Sequence, residues 1–214
     1  GTFRLADVNP LNLVAVEVSA DSGARILPCA SGRDDDLFEH DGQLTKREIR
    51  AVTLSALAPR RGELLWDVGA GAGSVGIEWM LAEPSLRAVA VEARGDRAER
   101  ALRNAASMGV PGLRMVVGMA PAALAGLPTP DAVFVGGGAS DPGVLDTVAG
   151  SLRAGGRLVV NAVTLETEAI LLARHADFGG SLTRIALSRA APIAGMTGWR
   201  PAMPVTQWSW EKPR

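Results

Sequence analysis

The amino-acid sequence predicts a doubly wound α/β sheet, and three observations carry that expectation. From Leu64 onward, short apolar runs alternate with helix-like stretches. The runs are apolar on both faces, as parallel strands covered by helices on both sides must be. The first run leads directly into a glycine-rich turn that opens a helix, the segment from Asp67 to Gly76.

Taken in order, the strands are expected at Leu64–Val68, Ala88–Glu92, Leu113–Val117, Ala132–Val135 and Arg157–Ala162. Helices are expected between them at Val75–Ala82, Arg97–Met108, Pro121–Gly126 and Gly143–Arg153, with Gly109 and Gly155 as stops. A further helix follows at Glu166–Ala176. Two β-rich runs, Leu182–Ser188 and Val205–Trp210, should pair across a long loop containing glycine and proline. Upstream, Thr45-Lys46-Arg47-Glu48 fits a capping box opening a helix that ends before Pro59. The preceding residues differ in kind. Leu13–Val18 alternates like a strand but stands alone, Ser31–Asp36 is a polar, acidic connector, and the chain opens on Gly1 rather than methionine. Residues 1–37 are therefore expected to be an arm or linker cut from something larger, and residues 38–214 the domain. An ordered lone strand needs hydrogen-bonding partners, so Leu13–Val18 should pair with a sheet edge, within or between subunits.

Composition narrows the function. With 22 basic and 23 acidic side chains and a net charge of -1, the chain lacks the basicity of a dedicated nucleic-acid binder. Cys29 is the single cysteine, which excludes an intrachain disulfide and a cysteine-based zinc site. His40 and His175 are the only histidines, too far apart in sequence to suggest a metal centre. No apolar run is long enough for a membrane span and no leader is visible, so a cytoplasmic protein without membrane partners is expected. Only Lys46 and Lys212 among the basic residues are lysines. The remainder are arginines, whose planar fork suits carboxylates and phosphates, so an acidic ligand fits.

The glycine turn selects a nucleotide-type ligand. Backbone amides and a helix N-terminus meet there, and a Cβ would block close approach. Glu92, at the end of the second strand, can accept hydrogen bonds from both ribose hydroxyls. Two ligand classes fit this pair. Read as Gly71-x-Gly73-x-x-Gly76, the turn matches a dinucleotide fingerprint, as in an NAD-dependent oxidoreductase. Read from Asp67 as Asp-x-Gly-x-Gly-x-Gly, it resembles class I methyltransferases, which use S-adenosyl-L-methionine. The second reading is favoured by the acid directly before the glycines and by a last strand suited to antiparallel pairing. It implies a Rossmann-like, mostly parallel seven-stranded sheet with helices on both faces.

The later strand ends refine this. Methyltransferases usually contact adenine after the third strand through an acidic or amide residue. Met119 stands there, so the contact would come from backbone, with Met119 or Ala120 against the ring. After the fourth strand, the Asp/Asn-Pro-Pro-aromatic motif of amino-group methylases is absent. Gly136-Gly137-Gly138 opens room for a large, flat acceptor instead.

His40-Asp41-Gly42-Gln43-Leu44-Thr45-Lys46-Arg47-Glu48-Ile49-Arg50, the Asp67 loop, the triple glycine and Asn161-Ala162-Val163-Thr164-Leu165-Glu166-Thr167 together resemble one family over about residues 33–210. It is the C-terminal methyltransferase domain of the decarboxylating precorrin-6Y methyltransferases of cobalamin biosynthesis. The resemblance implies methylation of carbon 15 of a tetrapyrrole (corrin precursor) and decarboxylation of the acetate on carbon 12. It implies a preceding domain that methylates carbon 5, of which the arm would be the end, and a homo-oligomer, a tetramer. Carried over by position, it places cofactor contacts at Thr45, at Gly69, Ala70, Gly71, Ala72 and Gly73, at Glu92 and at Ala120. The sequence departs from the family at Met119 and at Met203-Pro204-Val205, where relatives carry Asn-Pro-Val.

An electron-rich ring carbon can attack a sulfonium methyl without a strong protein base, because positioning supplies most of the rate. The protein must then hold carboxylates and move a proton. Arg189 and Arg200 are candidates for the first task, though solvated surface arginines would look the same. Thr164, Glu166 and His40 are candidates for the second. Thr164 could equally cap the last helix with Glu166 complementing its dipole, and His175 is expected to be structural. Two further readings stay open: a related methylase of another acidic or aromatic small molecule, and a non-catalytic interaction domain.

Overall fold

The computed structural model describes residues 9–24 and 26–214. Seven strands form one sheet in the order β3-β2-β1-β4-β5-β9-β6. These are β1 Leu64–Val68, β2 Arg87–Glu92, β3 Arg114–Val117, β4 Ala132–Val135, β5 Arg157–Ala162, β6 Ser181–Ile185 and β9 Val205–Glu211. The first five strands run parallel; β9 enters antiparallel between β5 and β6. Helices α1 Arg47–Leu57, α2 Ser74–Ala82, α3 Gly95–Ser107, α4 Val144–Ser151 and α5 Leu165–Phe178 connect them.

Side-chain alternation divides the interior into two cores. Leu64, Trp66 and Val68 of β1, with Val89 and Val91 of β2, face the α4 and α5 side, meeting Val144, Val148 and Leu171. Leu65 of β1 and Ala88 and Ala90 of β2 face Leu54, Ile77 and Trp79 on the α1 and α2 side. Every residue of β1 is buried, which is why a period-two polar signal is missing from it.

Several expectations are corrected. The capping box does not form: the N-cap is Lys46, and no side chain caps the helix. The Thr45 carbonyl accepts instead from the buried guanidinium of Arg50, and Glu48 turns outward to pair with Arg189. The helix expected at Pro121–Gly126 is a single 3-10 turn, Ala122–Leu124. The long loop before β9 is a hairpin, β7 Ser188–Ile193 with β8 Met196–Pro201. Ala194 and Gly195 close it with φ of 47° and 83°, the double positive-φ turn that matches strand twist. Alanine disguises that turn in the sequence, because only glycine or asparagine normally announces it.

The arm also differs. Residues 13–18 form no strand with any described residue, and Leu13 is 94% exposed. Residues 1–8 of the arm lie outside the described residues. Its C-terminal part, in contrast, belongs to the domain. Glu78 accepts from the amides of Gly32 and Arg33 at 2.7 and 2.9 Å and from Arg50 Nε at 2.9 Å. Arg50 also bonds Asp35 at 2.9 Å and stacks on the Phe38 ring. The buried Glu78–Arg50 pair draws its partners from Gly32, Arg33 and Asp35, so this segment packs on the sheet domain. Among the described residues, no helix is long and apolar enough to cross a membrane.

Glu78→Gln should lower the free energy of unfolding by about 3 kcal/mol, measured in urea, because it removes the central charge of this buried network. Deleting residues 1–24 should leave the midpoint unchanged, whereas deleting residues 1–37 should lower it by a similar amount.

Candidate active site

The turn after β1 is held by two buried carboxylates. Asp67 Oδ2 accepts from Gly76 N at 2.9 Å, tying the first turn of α2 to the strand. A Cβ on Gly76 would lie 3.1 Å from that oxygen, so this glycine serves helix–strand packing. Gly73 serves the same purpose against α3, where a Cβ would meet Ala101 Cβ at 2.9 Å. Glu92 accepts from Gly71 N at 2.9 Å and Arg94 N at 3.0 Å, fixing its carboxylate beneath the turn. Burial raises the pKa of Asp67 to about 7; its bond from Gly76 opposes that rise and the nearby Glu92 charge adds to it.

A cavity of about 670 Å³ opens at the carboxyl ends of the strands, between the loops after β1 and β4. That is the switch point where a doubly wound sheet places its ligand. One wall is Gly69, Ala70, Gly71, Ala72 and Glu92; the next is Met119 and Ala120; the far wall is Gly136, Gly137, Gly138 and Asp141. Asn161 and Val163 follow β5. Thr45, with its neighbours Gly42–Lys46, closes the cavity from the α1 side, and Arg189 with the root of the hairpin closes it opposite.

The expected site residues thus separate. Thr45, Gly69–Ala72, Glu92, Met119, Ala120, Gly136–Gly138 and Arg189 line one cavity; Gly73, Arg200, Thr164, Glu166 and His40 do not. Thr164 caps α5, accepting from Thr167 N at 3.3 Å, and Glu166 is exposed in that helix's first turn. His40 Nδ1 accepts from Gly42 N at 3.0 Å within the loop over the cavity. Arg200 lies opposite Arg189 on the hairpin. His175 Nδ1 contacts Gly179 O at 3.2 Å, at the end of α5.

Residues that the sequence did not single out join the cavity. Arg97 binds Asp41 at 2.8 Å, drawing the Gly42–Lys46 loop onto α3 and holding the Asp41 carboxyl down at about 2. Lys46 pairs with Asp35 at 3.8 Å. Among the described residues no cluster of metal-ligating side chains is present.

The residues fit an adenosyl methyl donor. Glu92 lines the cavity at the end of β2, where its carboxylate can accept from ribose hydroxyls, and Gly71 and Gly137 leave space that a Cβ would enter. This sheet order, with its inserted antiparallel strand and glycine-walled cavity, defines a class I methyltransferase.

The family follows from comparison. The precorrin methyltransferase domain model matches residues 36–212, and the chain belongs to that family. It is 65% identical over 210 residues to a precorrin-6Y C(5,15)-methyltransferase (decarboxylating) from Sinorhizobium sp, covering 98% of this chain and 51% of that protein. It is 36% identical to the Salmonella typhimurium cobalt-precorrin-6B C(15)-methyltransferase (decarboxylating), covering 80% of this chain and 91% of that one. The solved C-terminal domain of precorrin-6Y C5,15-methyltransferase from Rhodobacter capsulatus superposes with a TM-score of 0.82 at 49% identity, covering 87% of this chain and all of that one. The chain spans about half the length of the first curated relatives it matches.

Asp67 sets a pH dependence. Its folded-state pKa of about 7 exceeds the ordinary 3.8, so the folded state keeps a proton that the unfolded chain releases. Its contribution is complete below about pH 4 and is lost as pH rises through about 7. Asp67→Asn should therefore gain stability relative to the parent as pH rises across that window, by a few kcal/mol, measured as paired urea midpoints.

Proposed function

We propose that the domain transfers the methyl group of S-adenosyl-L-methionine to carbon 15 of a precorrin-6Y-type corrin precursor and removes the acetate carboxylate on carbon 12. The observation that carries this reading is one cavity with two unlike ends. A glycine-and-carboxylate end suits the donor, and a wide glycine wall, in a cavity also lined by Lys46, Arg97 and Arg189, suits a large polycarboxylate. The names of the relatives, C(5,15)- and C(15)-methyltransferase (decarboxylating), carry methylation at carbon 15 and a decarboxylation.

In this reading the turn from Gly69 to Ala72 meets the amino-acid end of the donor, with Asp67 holding that turn on α2 from behind. Glu92 takes the ribose hydroxyls, Met119 and Ala120 flank the adenine, and Thr45 closes over it. The donor supplies a sulfonium-bound methyl. The chain's own residues hold the acceptor carbon in line, exclude water and anchor the peripheral carboxylates through Arg189 and its neighbours. Thr164, Glu166 and Arg200 lie outside the cavity lining, so the reading assigns them no contact with the reacting atoms. His40 stays the candidate for bringing a proton to the mouth, from the loop that closes it.

The reading extends to partners. The arm is the approach from a carbon-5 methylating domain, and the enzyme works in the cytoplasm. The hairpin exposes Ile193, Met196 and Trp199, and two strands alone are marginally stable in water, which favours burial against other copies in a tetramer.

Calorimetry should show micromolar binding of S-adenosylhomocysteine and none of NAD; the converse would sink this reading. Glu92→Ala should weaken that binding by roughly tenfold or more, as loss of charged hydrogen bonds predicts. Incubation with S-adenosyl-L-methionine and the carbon-5-methylated precursor should add one methyl and release carbon dioxide, read by mass spectrometry. Trp199→Glu should shift the assembly to smaller species in light scattering.

A further inference from the structure

The cavity contains one uncharged polar network that the reading above leaves without a task. Asn161 of β5 lines the cavity, and its Nδ2 donates to Thr53 Oγ1 of α1 at 3.0 Å. Gln207, its cross-strand partner on β9, donates from Nε2 to Thr53 Oγ1 at 3.1 Å and to Asn161 Oδ1 at 2.9 Å. Thr53 and Gln207 are 0% and 4% exposed, so two other elements, α1 and β9, hold one amide from behind. A buried polar network adds little stability over apolar packing of the same shape, but it fixes geometry. Here it engages one hydrogen and one lone pair of the Asn161 amide. The remaining hydrogen and lone pair are left for the cavity.

The positive charge comes from other elements. The cations lining the cavity come from the start of α1, from α3 and from the hairpin, and each has an acidic partner: Lys46 with Asp35, Arg97 with Asp41, Arg189 with Glu48. Beside Asn161 the lining is glycine and apolar side chains, among them Val163, Ile185 and Val205, with Asp141 beyond the glycines after β4.

Resting on the proposed function, we infer that Asn161 meets the acetate that is lost, and that Thr53 and Gln207 are positioning residues for it. A cation against that carboxylate would stabilise a charge that disappears in the reaction, and so would slow it. A fixed neutral amide orients the carboxylate without that penalty. In the step, the bond between the carboxylate carbon and the methylene breaks and its electron pair passes into the conjugated ring. Carbon dioxide leaves, and the methylene carbon then takes a proton from water. The carboxylates that are retained face the cations.

The test uses the domain with S-adenosyl-L-methionine and the carbon-5-methylated precursor, measuring methyl gain and carbon dioxide release separately, with S-adenosylhomocysteine affinity by calorimetry. Asn161→Leu and the near-isosteric Gln207→Glu should keep that affinity within about threefold. Both should cut carbon dioxide release by about tenfold or more, the scale of a lost orienting contact, with methyl gain falling less. Asn161→Asp should raise KM for the acceptor, because it sets like charges together. Unchanged release in both variants, or equal loss of the two activities, overturns the inference. Parent protein that binds the cofactor analogue yet neither methylates nor decarboxylates this precursor overturns the proposed function instead.

Discussion

A Cβ on Gly69 would lie 2.7–2.8 Å from three backbone atoms of Gly137, closer than any side chain tolerates. The two loops leaving β1 and β4 are therefore pressed backbone to backbone, with Gly136 N donating to Val68 O at 2.9 Å just before they diverge. Strand order reverses at this point, β2 and β3 lying to one side and β4 and β5 to the other. Any residue with a side chain at position 69 must push the loops apart and change the shape of the cavity between them. The φ of +69° adds a second reason for glycine there.

Around that contact the walls of the site are held in place. Asp67 and Glu92 are both buried beside the turn, and both spend oxygens on backbone amides, so the turn is held rigidly from the strand side. The loop carrying Thr45 is fixed by a buried ion network, because Arg50 takes the Thr45 carbonyl and the Asp35 carboxylate together. Glu78, behind Arg50, binds the segment at Gly32 and Arg33. A connector that reads as linker is thus mechanically continuous with the wall of the cavity.

The arginines illustrate why composition is a weak guide to purpose. Their abundance suggests an acidic ligand, but several are structural. Arg157 binds the Leu57 carbonyl at 2.8 Å and Glu63, closing the end of α1 onto β5. Arg50 and Arg33 anchor the N-terminal segment, and Arg97 latches the loop over the cavity through Asp41. Arg189 lines the cavity with Arg97, whereas its cross-strand neighbour Arg200 does not.

The sequence by itself determined the sheet, its glycine turn and Glu92. Strands β1 to β5 form within a residue or so of where their apolar runs place them, because burial on both faces leaves no other use for such runs. Tertiary structure decided the rest. Gly73 and Gly76 match a ligand motif in sequence but answer to Ala101 and Asp67 in space. Thr45 and Glu48 spell a capping box, yet a buried guanidinium and a hairpin arginine claim them. Thr53, Asn161 and Gln207 carry no local signal, since their bonds join positions as many as 154 residues apart. Local patterns record what a segment must bury. Which polar atoms face each other across a cavity is set by packing, and only the folded chain holds that information.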